Sequence, residues 1–250
     1  MKRNSLILLA ALLGNYACRS FSQKSEKPGT SLQTVATVTD STTTPRQIPA
    51  LEQQMIKQGL VNVQSVDSTI EVELKYSTTD NFVKKDVYGD LENAYLQPEI
   101  AKKLARASAF LQKKYPGYQL LIYDAARPNS VQYILWDALD VPLRQKSQYV
   151  ADPKIGSIHN FGCAVDLTVA NEKGVPLDMG TPYDFFGPLA YPRMESQMLA
   201  QGKLTKAQLA NRQILRRAMT QAGFRQNTTE WWHYDGLSRA NAKAKYGMIK

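Results

Sequence analysis

From Ile48 onward, short stretches with a hydrophobic period of two and longer ones with a period near 3.6 follow one another in mixed order. They lack the repeated strand–helix–strand spacing of a parallel α/β fold. That order points to an α+β single domain, a central and mostly antiparallel sheet with flanking helices. Ile70, Val72 and Leu74 alternate with Glu71, Glu73 and Lys75, as in a half-buried strand, and Val61 and Val63 alternate with polar residues in the same way. Leu51 and Met55 fit a short helix ending at Gly59. Pro98 opens a longer one, with Ile100, Leu104, Ala107 and Leu111 on one face and Pro116-Gly117 as its stop. Residues 118–123 read as a buried strand leading to Arg127-Pro128. Asn129 is placed to cap a helix to about Leu139, and residues 140–156 read as a loop. Residues 163–169 form a strand. Thr205 and Gln208 have capping-box form ahead of a helix that stops at Gly223, and a strand-like EWWHY segment follows.

With 250 residues, 43% hydrophobic and 9% aromatic, the chain can bury a real core and is not a disordered protein. The two cysteines exclude a disulfide framework and any four-cysteine zinc module. Lys2 and Arg3 precede an apolar run from Leu6 to Leu13, too short to span a bilayer permanently, and Cys18 follows. This is the layout of a signal peptide over residues 1–17, of lipoprotein type, with Cys18 as the lipidation site. Ala17 suits that reading, while Asn15 stands where the usual motif has an aliphatic residue. Residues 18–47 are rich in Ser and Thr and read as a flexible tether, leaving 48–250 as the domain. The expected location is therefore the periplasm, with a lipid anchor on the membrane and no nucleic acid as partner. Cleavage before Cys18 would remove two basic residues and lower the net charge from +9 to +7.

Two histidines exclude a three-histidine metal site, so a carboxylate must complete any site they form. Each lies near one: His159 is followed by Gly162 and Asp166, and His233 is preceded by Glu230. His159, Asp166 and His233 would supply three ligands and leave one position open, as catalytic zinc sites do. A turn at Gly162 lets the chain fold back so that His159 and Asp166 converge. Residues i and i+3 of a regular strand point to opposite faces, so Glu230 and His233 can share a site only if the backbone bends between them. Without a metal, each histidine could equally be a hydrogen-bonded structural partner of its carboxylate.

SIHNFGCAVD (157–166) and EWWHY (230–234) resemble the paired zinc motifs of the D-alanyl-D-alanine dipeptidases, the VanX-type enzymes. LKYSTTDNF (74–82), YDAARP (123–128) and MGTPYDF (179–185) resemble the same family, in family order, across roughly residues 50–240. The resemblance implies a Hedgehog/DD-peptidase-like fold and one zinc ion held by His159, Asp166 and His233. It also implies Glu230 as general base and Arg127 as stabiliser of the tetrahedral oxyanion, beside its other reading as an ion pair of Asp124. Asp184 would meet the substrate ammonium and Ser157 its carboxylate. Tyr76 and Asp124 would line or orient the pocket. Cys163 departs from the family and could offer a thiolate to the metal. The function implied is hydrolysis of D-Ala-D-Ala to two D-alanines in the cell envelope. A peptidoglycan D,D-carboxypeptidase or endopeptidase could use the same zinc site, and a non-catalytic zinc-binding envelope module is the reading from another class.

Overall fold

The computed structural model describes residues 48–250. The expected signal segment 1–17, Cys18 and the tether 18–47 lie outside the described residues. In chain order the elements are α1 (Ala50–Lys57), β1 (Val61–Asn62), β2 (Glu71–Val72), β3 (Tyr95–Leu96), α2 (Pro98–Lys114), β4 (Gln119–Asp124), α3 (Asn129–Asp137), α4 (Leu143–Lys146), β5 (Ala164–Ala170), α5 (Glu195–Ala200), α6 (Lys206–Gln221), β6 (Arg225–Gln226), β7 (His233–Asp235) and α7 (Arg239–Lys245).

A five-stranded sheet runs in the order β2-β4-β5-β7-β6, and all its pairings are antiparallel except β2 with β4. The expected α+β architecture with a mostly antiparallel sheet is what the chain forms. β1 and β3 make a separate two-stranded sheet. Of the strand expected over Ile70–Leu74, only Glu71–Val72 is regular strand, with Glu73 N donating to Ile122 O (2.9 Å), and Ile70 and Leu74 are buried as the alternation requires.

Alternation in β4 and β5 divides the residues by face. Leu120, Ile122, Val165, Leu167 and Val169 point to the main core, where they meet Ile100, Leu104, Ala107 and Leu111 of α2 and Leu215, Ala218 and Met219 of α6. These side chains lie on one stripe of each helix, and each fully buried Leu or Ile contributes about 1.5–3 kcal/mol. Leu121, Tyr123 and Ala170 point the other way and pack under Tyr183. Asp166 and Thr168 share that second face by the period of two.

The capping box at Thr205 is present in full: its hydroxyl accepts from Gln208 N, and the Gln208 side chain accepts from Thr205 N. The expectation for Asn129 is corrected. Pro128, with its fixed φ, occupies the cap position, and Asn129 is the first helical residue. Its backbone N–H donates to the carbonyl of Ile249 instead (2.7 Å). The helix ends at Asp137, short of Leu139, and the loop expected over 140–156 contains the single turn α4.

Candidate metal centre

The site grows from one rung of the sheet. A register shift in β4 between Ile122 and Asp124 brings Asp124 opposite Asp166 of β5, and Asp166 is in turn opposite His233 of β7. Asp124, Asp166 and His233 thus stand side by side across three strands. His159 arrives from the 3₁₀ turn Ile158–Phe161, which Ser157 and Asn160 cap reciprocally and Gly162 ends at φ +66. Only glycine takes that left-handed conformation without strain. The turn is stitched to the Arg127 segment: Arg127 N donates to His159 O (3.1 Å), and Asn160 Nδ2 donates to Arg127 O (2.8 Å).

Three ligand atoms converge. His159 Nε2 lies 3.1 Å from His233 Nδ1 and 3.3 Å from Asp166 Oδ1, and His233 Nδ1 lies 2.9 Å from the same oxygen. Each ring's other nitrogen faces an acceptor. His159 Nδ1 meets the carbonyl of Ala125 (2.7 Å), and His233 Nε2 meets Asp235 Oδ1 (2.8 Å). With each ring neutral and its proton on that outer nitrogen, both inner nitrogens would present a lone pair. In that state two lone pairs and a carboxylate oxygen face one another, an arrangement that a cation between them would satisfy. The separations are near the roughly 3.3 Å that ligand bonds of about 2.0–2.1 Å span at tetrahedral angles. The donor set therefore fits a zinc-type divalent ion with one position open. The second oxygen of Asp166 is held by the hydroxyl of Tyr183, which donates to it at 3.0 Å.

Electrostatics follow the same geometry. Burial alone would raise the pKa of Asp166, but His159 and His233 outweigh it and hold the group well below the ordinary carboxylate range. Burial pulls His233 down, and the carboxylates of Asp166 and Asp235 more than reverse this. Burial pushes Glu230 above the usual range, with His233 opposing.

The bend expected between Glu230 and His233 is there. Trp231 and Trp232 leave the strand pattern, β7 starts at His233, and Glu230 Oε2 comes within 3.8 Å of His233 Nδ1. Asn227 Nδ2 donates to that oxygen at 2.8 Å. Both tryptophans are 2% exposed. Trp232 forms part of the cavity wall, and Trp231 donates its indole N–H to Thr181. They are core and wall.

Ser157, Tyr76, Arg127, His159, Asp166, Asp184, Glu230 and His233 all line one cavity of about 620 Å³. Asp124 does not. It is fully buried and accepts from Tyr88 Oη, Ala125 N and Arg127 Nε (2.9 Å). Of the two roles expected for it, lining or orienting the pocket, only the second fits: Asp124 does not line the cavity and instead holds Arg127. That guanidinium also donates to Gln132 Oε1 (3.0 Å) and has one nitrogen 3.7 Å from Asp166 Oδ2. The two readings of Arg127 are compatible, because the ion pair fixes a guanidinium that still faces the cavity. Tyr76 donates to Asp184 Oδ2 (2.9 Å), and Asp184 adopts φ +57. Burial, then the charge of Asp166, raises the Asp184 carboxyl well above its ordinary pKa. Ser157 Oγ accepts from His159 N at 3.3 Å, which leaves its proton free to donate.

Cys163 is corrected as a possible ligand. It precedes β5 on the side away from Asp166, its thiol donates to Phe161 O, and burial pushes its pKa up to about 12. Asp235, Tyr183 and Gln132 escaped the sequence reading. Asp235 was within reach of it, since residues i and i+2 of a strand share a face.

The family model described as D-Ala-D-Ala dipeptidase (peptidase M15) matches residues 56–248. The chain belongs to the D-Ala-D-Ala dipeptidase family. It is 35% identical to the D-alanyl-D-alanine dipeptidase of Escherichia coli over 70% of this chain and 83% of that protein. Like-named proteins of Enterococcus faecalis and Streptomyces coelicolor are each 30% identical. Those matches cover 64% and 69% of this chain and 82% and 88% of the relatives. As a member of the dipeptidase family the chain is a peptidase, and His159, Asp166 and His233 form its candidate metal centre.

Proposed function

We propose that the chain hydrolyses D-alanyl-D-alanine to two D-alanines, using one zinc ion, in the cell envelope. The carrying observation is the single cavity that holds the three converged ligand atoms, Glu230, Arg127 and Asp184.

His159, Asp166 and His233 would hold the ion, with Ala125 O, Asp235 and Tyr183 keeping each ligand in place. When bound, such an ion supplies Lewis-acid chemistry, polarising a carbonyl and acidifying water. Glu230 takes a proton from the attacking water and delivers it to the leaving amine. A placed base of this kind is worth about 10²–10⁴-fold. Arg127, held by Asp124 and Gln132, aims N–H groups at the oxygen where negative charge develops. One such donor is worth about 10²–10³ in rate. Asp184 receives the substrate ammonium, whose charge favours the ionised carboxylate that Tyr76 already hydrogen-bonds. Ser157 donates to the terminal carboxylate.

The leader-like sequence at residues 1–17 and Cys18 support an exported, lipid-anchored enzyme. In that compartment the free dipeptide would come from peptidoglycan turnover. Fractionation tests this: the enzyme is expected with the membrane, and a mainly cytoplasmic mature protein would contradict it. The reaction is tested by comparing D-Ala-D-Ala with its N-acetylated form. Faster cleavage of the acylated compound would favour the carboxypeptidase reading.

A further inference from the structure

Three residues line both the main cavity and a second one of about 440 Å³: Phe82, Asp184 and Phe186. The volume of the second cavity is within the range of ordinary ligand pockets. Phe186 is the ring that joins the loops at this boundary. It lies edge-on to Phe82, with centroids 5.1 Å apart and planes at 68°, and edge-on to Tyr149, also at 5.1 Å, with planes at 61°. Phe82 in turn meets the edge of Tyr76, whose hydroxyl holds Asp184. Phe186 keeps 39% of its surface exposed, so it adds less to the core than a buried ring would. Two residues before it, Asp184 adopts the left-handed φ of +57, a conformation that disfavours side chains and that the Tyr76 contact helps to hold.

We propose that Phe186, paired with Phe82, closes the amino-terminal end of the substrate cavity and restricts the enzyme to free dipeptides. This deepens the dipeptidase reading and rests on it. A free dipeptide ends at its ammonium, beside Asp184. An amino-extended peptide or an N-acyl group must continue past Asp184, through the space that the two rings fill. Beyond them the neighbouring cavity has room for the extension. Selectivity then has two parts. Asp184 disfavours an amide where it would meet an ammonium, and the rings exclude the added atoms by contact, an explicit device against the wrong substrate. Shortening Phe186 relaxes the second part and leaves the first.

The test uses the full chain loaded with zinc. kcat/KM is measured for D-Ala-D-Ala, for the tripeptide D-Ala-D-Ala-D-Ala and for N-acetyl-D-Ala-D-Ala, in the wild type and in Phe186→Ala, Phe82→Ala and Phe186→Leu. The wild type is expected to favour the dipeptide by about 100-fold or more, and Phe186→Ala to reduce that preference at least about tenfold, most clearly for the tripeptide. Phe82→Ala should act in the same direction from the other side of the boundary, and Phe186→Leu less than Phe186→Ala. If Phe186→Ala does not fold, Phe82→Ala and Phe186→Leu carry the test. Unchanged ratios in folded variants with wild-type zinc content would overturn the proposal while leaving the dipeptidase reading intact. A wild type that prefers the acylated substrate would overturn that reading itself, and the proposal with it.

Discussion

Asp235 shows how much of a metal site lies one bond beyond the ligands. Its carboxylate faces His233 Nε2 at 2.8 Å and is itself paired with Arg225, whose side chain is 71% exposed. Such an exposed ion pair contributes little to stability, so the main work of Asp235 is to fix the His233 tautomer. Asp235→Ala should therefore fold normally by circular dichroism yet bind zinc about 10–100-fold more weakly, measured by competition with a chromophoric chelator. Unchanged affinity would assign His233's orientation to strand packing alone. The same outward proton logic applies to His159, where the partner is the Ala125 carbonyl and no side-chain substitution can remove it.

At the scale of elements, the turn ended by Gly162 and the helix opened by Thr205 contrast usefully. A Cβ at Gly162 would meet Leu60 Cδ2 at 2.8 Å, and the left-handed φ costs a side chain about 1–2 kcal/mol. Gly162 also sets the angle between His159 and Asp166. Gly162→Ala is expected to lower Tm by about 2–8 °C, at 2–4 °C per kcal/mol for a domain of this size, and to weaken zinc binding as well. Thr205→Ala removes a cap worth about 1 kcal/mol. Because Thr205 lines no part of the cavity, it should lower Tm by about 2–4 °C with turnover unchanged. Differential scanning calorimetry beside an activity assay checks both. Equal losses of activity in the two variants would mean that the turn has no special role in placing the ligands.

Across the whole molecule, what was legible in the sequence was local. The apolar stripe of α2, the capping box of α6, the Gly162 turn and the bend before His233 each follow from neighbours a few residues apart. The candidate ligand set was legible because only two histidines exist and both lie in motifs that resemble the family's paired zinc motifs; the residues alone left structural pairing open. The Asp124–Arg127 pair was anticipated, but the choice between lining and orienting the pocket was not, because it depends on the register shift in β4 that sets Asp124 opposite Asp166. Tyr183 and Gln132 reach the site from loops and helices whose approach no local pattern encodes. The short β1–β3 sheet escaped for the same reason, since each strand is two residues long and the pairing joins Val61 to Leu96. Long-range register, set by packing, separates the legible from the hidden here.

In the proposed mechanism one metal ion at His159, Asp166 and His233 works with Glu230 to cleave D-Ala-D-Ala. The most direct measurement is zinc content and turnover on the same samples of the wild type and Glu230→Ala, before and after chelation and zinc restoration. One zinc per chain is expected in both proteins. Wild-type turnover should vanish on chelation and return with zinc, and the variant should stay about 10²–10⁴-fold slower while fully loaded. Turnover that survives chelation, or a loaded Glu230→Ala as fast as the wild type, would rule this mechanism out.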